Sequence, residues 1–319
     1  MQAKRLNYKG IISEYFRIKN KKGEVVPFVF NDTQNYYYEL LKKDYPEMQG
    51  IRENDLKFRQ PGFSSLIDAM FMVDFIWSEL GRIPLVDADI VSHKDKETKV
   101  LFDRASFFLD SYLEKVGATR KEVLDVDTNG LLRGKRGSQL YVQTASARVS
   151  GRGGTKQNIH WSEVAFYSNT AVLNARTLIT GAEQQVADGI GKIFRESTGN
   201  ISDDFFSDEY EAGKIGRTEF KSRFFGWYIH HEYSRNAPAD WVVPAYYKRL
   251  IESGQADRDQ CFWHYMKTGK LEDKEKLREY PTYDFEAFLL GGESYFSTDA
   301  VISYLGKLKE PLKEGVIML

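Results

Sequence analysis

The 319-residue chain has a single cysteine, Cys261. That excludes an internal disulfide framework and a cysteine-ligated metal centre, and it fits a reducing compartment. No apolar run approaches the roughly 18 residues that a membrane-spanning helix needs, and the start, Met1-Gln2-Ala3-Lys4-Arg5, leads into polar sequence instead of an apolar signal core. Charge of one sign is also missing. The 45 basic and 46 acidic residues leave a net charge of −1, so there is no global basic footprint for nucleic acid, and any such contact has to be local. What the chain does have is aromatic side chains, 19 Tyr and 21 Phe among them, enough to furnish sizeable packed cores at this length.

Hydrophobic periodicity and turn signals predict alternating elements. Helices are expected at 33–43, with Asn31 or Asp32 as N-cap, at 64–80 ending on Gly81, and at 94–115, 171–179 and 205–213. Strands are expected within 82–92 and at 140–144, 158–161, 190–196 and 220–229, and the polar, basic segment 5–27 reads as an arm or short strand. Such alternation implies an α/β fold with a largely parallel sheet, whose ligands sit at the carboxyl ends of the strands. Beyond Tyr233 the pattern turns helical, at 238–252, 258–268 and 299–308. A boundary near 235 divides a first domain, 1–235, from a small accessory subdomain, 236–319.

Lys57-Phe58-Arg59-Gln60-Pro61-Gly62-Phe63-Ser64-Ser65 resembles a phosphate-binding loop opening a helix. Against the pattern G-x-x-x-x-G-K-[ST], the first glycine is Lys57, the lysine is Phe63 and the hydroxyl residue is Ser64. The loop physics survives, because a glycine lets the backbone curl and the helix N-terminus favours an anion. Lys57 or Arg59 can resupply the lost cation. In Asn158-Ile159-His160-Trp161-Ser162-Glu163, an apolar strand ends on Glu163, where an ATPase needs the acid that acts on the attacking water; a simple helix cap is the plain alternative. Ser197-Thr198-Gly199-Asn200 follows another strand and is either a γ-phosphate-sensing hydroxyl or an ordinary turn. The acid-free run from Gly130 to Lys156 holds Arg133, Lys135, Arg136, Arg148, Arg152 and Lys156, with glycines that imply mobile loops. It offers phosphate contacts to DNA, an arginine finger, or a solvated basic face. Upstream, the Gln34 amide suits an adenine edge, and Phe28 or Phe30 suits its stacking.

Taken in order, PFVFNDTQNYYY, KFRQPGFSS, SGRGGTKQ, NIHWSEVAFY and ESTGN resemble the large terminase subunit of tailed double-stranded DNA phages. That family carries an Arg-Gln before the loop glycine and often Ser-Glu at the second motif. The resemblance extends to Phe225-Gly226-Trp227, to Glu279-Tyr280-Pro281 and to Glu286-Ala287-Phe288, Gly292 and Phe296, which are similar to its linker region. It implies a P-loop NTPase-like fold and an ATP-hydrolysing, Mg²⁺-dependent motor that moves double-stranded DNA into a procapsid. Gln34 would contact adenine. Lys57, Arg59, Gln60, Gly62, Phe63, Ser64 and Ser65 would form the phosphate site, with Ser64 and Glu163 at the metal. Glu163 would be catalytic, Thr198 would couple, and Arg152, with Arg148 second, would be the finger from a neighbouring subunit. Implied partners are the portal protein, the small terminase subunit and further copies in a ring, in the host cytoplasm and away from membranes.

Such proteins continue into an RNase H-like nuclease. No acid triad at a convincing position accompanies Asp87 and Asp89 or Asp203 and Asp204, so nuclease activity is not expected in this chain. Two other readings stay open: a helicase-like ATPase, and a DNA- or portal-binding scaffold with a degenerate loop, for which Phe63 is the best support.

Overall fold

The computed structural model describes residues 6–146, 154–170, 174–200 and 204–288. The elements run α1 (Tyr8–Tyr15), β1 (Arg17–Lys19), β2 (Val25–Pro27), α2 (Asp32–Asp44), β3 (Arg52–Lys57), α3 (Phe63–Glu79), β4 (Asp87–Ser92), α4 (Asp95–Val116), α5 (Arg120–Val123), β5 (Leu124–Thr128), β6 (Leu131–Gly134) and β7 (Gln139–Thr144). They continue with β8 (Asn158–Ser162), α6 (Ala175–Glu183), β9 (Lys192–Ser197), α7 (Phe205–Lys214), β10 (Lys221–Phe225), α8 (Ala245–Glu252), α9 (Arg258–Thr268) and α10 (Asp273–Glu279). Eight strands form one sheet in the order β10-β3-β9-β8-β4-β7-β6-β5. The first six are parallel, and β6 and β5 close one edge antiparallel. The expected α/β architecture is the one the chain adopts.

Successive residues of the inner strands enter opposite cores, as the two-residue period of a strand requires. Ile193 and Val91 join one apolar cluster, while Phe194 and Ile90 join the other. Helices α1 to α4 build the larger cluster, and α6 and α7 build the smaller. Helix α3 runs through the middle, with every residue but Ser64, Ser65 and Glu79 buried. Helix α4 shows why its stretch is helical: Leu101, Ala105, Phe108, Leu109, Tyr112 and Leu113 form one stripe, Asp95 and Glu97 sit in the first turn, and Gly117 ends it in the left-handed conformation. Burying Phe108 alone contributes about 1.5–3 kcal/mol.

The sequence reading missed β3, whose residues Arg52-Glu53-Asn54-Asp55-Leu56-Lys57 are all buried. A polar strand survives between two neighbours only if each polar group finds a partner. Arg52 Nη1 donates to Gly191 O at 2.7 Å, Arg223 pairs with Glu53, Asn54 Nδ2 donates to Glu209 O at 3.1 Å, and the Tyr37 hydroxyl donates to Asp55. Lys57 reaches the acids described below.

Other expectations need correction. The described part of the segment 5–27 holds α1 followed by the antiparallel pair β1 and β2. Strand β10 stops at Phe225, with a 3₁₀ turn at Trp227–Ile229. The helix expected from 238 begins at Ala245, after Pro244. Much of the glycine-rich basic run is sheet, in β6 and β7. The expected helix at 299–308, and Gly292 and Phe296, lie outside the described residues. Within the described part, the segment after 235 contributes Tyr247, Leu250, Cys261 and Tyr280 to the larger cluster.

Candidate functional site

Strands β3, β9 and β8 lie side by side with their carboxyl ends level: Leu56 pairs with Ser197, and Glu196 with Ser162. Lys57 closes β3. The chain then turns through Phe58 to Gly62 and enters α3, and a cavity of about 580 Å³ opens above the turn. Lys57, Arg59, Ser64, Ser65, Glu163 and Thr198 all line it.

The turn is fixed through its carbonyls. Tyr233 Oη donates to Arg59 O at 3.1 Å, Asn31 Nδ2 to Pro61 O at 3.1 Å, and Gln34 Nε2 to Gly62 O at 2.8 Å. Gln60 and Gly62 both have positive φ. A Cβ on Gly62 would lie 2.7 Å from Gln34 Nε2, so glycine is required there twice over. No side chain caps the first turn of α3, and those amides are the groups that accept an anion at a helix N-terminus.

Lys57 Nζ donates to Glu163 Oε1 at 2.7 Å and lies 3.0 Å from Glu196 Oε2, an ion contact along which no hydrogen bond is aligned. Glu196 is fully buried. Its Oε1 accepts from Ser64 Oγ at 2.7 Å and Ser162 Oγ at 2.9 Å, with His160 Nε2 at 3.3 Å. His160 Nδ1 meets Asp68 Oδ1 at 2.9 Å, and Arg104 Nη1 donates to Asp68 Oδ2 at 3.1 Å. Three acids thus alternate with three cations, from Glu163 at the cavity through the buried Glu196, His160 and Asp68 to Arg104, which lines the cavity again. At Lys57, Glu196 and His160 burial opposes the charge, and the neighbours overcome it. The lysine ammonium is held above its ordinary value by Glu163 and Glu196. The Glu196 carboxyl is held well below its ordinary value by Lys57 and His160. The imidazole of His160, which burial alone would depress, is raised to about 9 by Asp68 and Glu196.

Glu163 stands in the left-handed region, φ 54° and ψ 48°, an uncommon state for a residue with a side chain. Lys57 holds one of its oxygens, and the Thr198 amide donates to the other at 3.2 Å. Such strain persists where surrounding contacts over-determine it, and it concentrates at working sites. Gly199 packs so closely on the segment after 235 that a Cβ would lie 2.1 Å from Ala287 O. Arg59 also reaches that segment: its amide donates to Glu279 O at 2.8 Å, and its Nη1 to Glu279 Oε2 at 2.9 Å.

The structure brings together Lys57, Arg59, Gln60, Gly62, Ser64, Ser65, Glu163 and Thr198. Phe63 contributes only its backbone, because its ring is buried against Tyr37 and Phe225. The Gln34 amide is engaged at both ends, bracing Gly62 and accepting from Asn31 N at 3.0 Å, and the residue is buried and does not line the cavity. Phe28 and Phe30 are core residues packed on Phe108 and Tyr38, which removes them as stacking platforms. Arg133, Lys135, Arg136 and Lys156 cluster toward the amino ends of β4, β7 and β8, at the opposite end of the sheet from the cavity. Arg148 and Arg152 lie outside the described residues. Glu196, His160, Asp68 and Arg104 were not picked out in the sequence. The one available signal was an acid immediately before Ser197-Thr198, in a strand-like run.

No family model and no curated protein matches the chain. Among solved structures, the HK97 bacteriophage large terminase matches with a TM-score of 0.55 at 13% identity, over 88% of this chain and 54% of its own. The ATPase domain of the Thermus phage P74-26 large terminase gives 0.43 at 14% identity, over 75% and 88%. The large terminase of a thermophilic bacteriophage gives 0.43 at 12%, over 69% and 50%. At these identities the likeness is one of fold, and the first match carries it. The chain, which spans about half of that protein's length, has the fold of a bacteriophage large terminase.

Proposed function

We propose that this chain is a Mg²⁺-dependent ATPase that works as the motor portion of a phage genome-packaging terminase. The observation that carries the proposal is Lys57, set between Glu163 and Glu196 at the ends of three adjacent parallel strands, beneath a turn whose helical amides have no capping side chain. A cation, a hydroxyl, an acid at the rim and a glycine cradle fit a nucleoside triphosphate with Mg²⁺. Bound ATP with its metal supplies the phosphoryl group to be transferred.

The chain's own residues divide the remaining work. First-turn amides of α3 and the Lys57 ammonium hold the phosphates, and Arg59 adds charge at the rim. Ser64 offers its hydroxyl to the metal. Glu163, held by the Thr198 amide, orients the attacking water and takes its proton. Phe63 does not disqualify the loop, because Lys57 delivers an ammonium from the strand end. Double-stranded DNA, the portal protein, the small terminase subunit and neighbouring copies in a ring are the proposed partners. Arg152 is the proposed finger reaching across to a neighbour's nucleotide, and the host cytoplasm is the proposed place of action.

The test is ATP hydrolysis by the full chain, with and without Mg²⁺ and double-stranded DNA. Glu163→Ala should keep nucleotide binding and lose turnover by a factor on the order of 10² or more. A variant that keeps most of its activity removes Glu163 from the mechanism. Hydrolysis indifferent to DNA contradicts the motor reading.

A further inference from the structure

Position 162, at the end of β8, is where an ATPase of this architecture needs a carboxylate beside the metal, and this chain has a serine there. A hydroxyl brings no charge to offset Mg²⁺. The neighbouring strand supplies one: Ser162 and Glu196 are direct register partners across β8 and β9, and the Ser162 hydroxyl donates to Glu196 Oε1 at 2.9 Å. The same oxygen accepts from Ser64 Oγ at 2.7 Å. A serine hydroxyl that gives a lone pair to a metal keeps its proton and points it at an acceptor, and Glu196 is already in that position. Its other oxygen accepts no hydrogen bond and lies 3.0 Å from the Lys57 ammonium, so a lysine drawn toward phosphate would leave a buried carboxylate oxygen without its cation.

We propose that Glu196 has taken over the metal-side carboxylate role of this site, acting as a positioning residue that holds the Ser64 hydroxyl and a metal-bound water from β9 instead of β8. The inference rests on the nucleotide reading above and deepens it. Asp68 and His160 belong to the same device. The imidazole meets Glu196 from the core side, so the carboxylate keeps a cationic partner when Lys57 departs, and it stays aimed at Ser64.

The experiment is calorimetric titration of the full chain with the non-hydrolysable analogue AMP-PNP, in Mg²⁺ and in EDTA. The wild type should bind more tightly in Mg²⁺. Glu196→Gln should lose about 10- to 100-fold of that metal-dependent gain, the usual effect of removing a group that orients a metal ligand, and should keep its affinity in EDTA. Glu196→Asp keeps the charge that balances Lys57 and His160 while drawing it back from Ser64. It should lose part of the gain with little change in melting temperature, and it decides the matter if Glu196→Gln does not fold. A double variant, Glu196→Gln with Ser162→Asp, returns the carboxylate to β8 and should restore the gain. An unchanged Mg²⁺ gain in the Glu196 variants overturns the assignment while leaving the nucleotide site standing. No binding by the wild type in either buffer overturns the nucleotide reading, and this inference with it.

Discussion

At the scale of single residues, Lys57 is what makes a buried acid tolerable. Glu196 has no solvent contact and owes its ionised state first to that ammonium. Removing one partner of a buried pair leaves an uncompensated charge. Lys57→Met should therefore destabilise the fold by about 3–5 kcal/mol in urea unfolding, and adding Glu196→Gln should recover part of that loss. A Lys57→Met protein as stable as the wild type would contradict the burial argument. Ser64, Glu163 and Thr198 were legible in the sequence because each follows a strand or opens a helix with a familiar residue type, and Lys57 because it heads the loop motif. Glu196 was not, because its role depends on which strand lies next to β8. Gln34 was misread as an open amide: its part in the capping box is local, but its hold on Gly62 spans distant sequence.

At the scale of elements, apolar patterning revealed α3, α4, α9 and the inner strands β4, β7, β8 and β9, with ends shifted by a few residues. It failed at β3 for a physical reason. That strand is stabilised by specific partners, Arg223 for Glu53 and Tyr37 for Asp55, and hydrophobic periodicity cannot register them. Helix α9 carries a testable consequence of its own. His264 is fully buried, stacked on Trp227 at 4.3 Å, with Nδ1 2.8 Å from Tyr247 Oη and Nε2 3.1 Å from Tyr280 O. Burial pulls its pKa down to about 3, well below the ordinary imidazole value. The unfolded chain therefore takes up this proton first. The contribution to stability is whole above about pH 6.5 and drains away as pH falls toward 3, at roughly 1.4 kcal/mol per pH unit. Stability followed by tryptophan fluorescence should fall less steeply with acid in His264→Gln than in the wild type. Equal slopes would contradict the neutral-imidazole account.

At the scale of the molecule, one sheet collects the chemistry at its carboxyl edge, and the segment after 235 leans on that edge. Arg59 of the turn is tied to Glu279, and Gly199 after β9 meets Ala287. Groups that face the cavity are therefore in direct contact with the region expected to form an accessory unit. That contact was outside the reach of the sequence, which marked the change of composition near 235 but not the packing across it.

The central claim is that the turn from Lys57 to Ser65 receives a nucleoside triphosphate, and a crystal structure of the full chain grown with Mg²⁺ and AMP-PNP tests it most directly. The account predicts triphosphate density over the first turn of α3, with the Lys57 ammonium moved from its 2.7 Å contact with Glu163 onto a phosphate oxygen. Nucleotide bound elsewhere, or Lys57 still bridging the two acids beneath a turn that holds nothing, would contradict it.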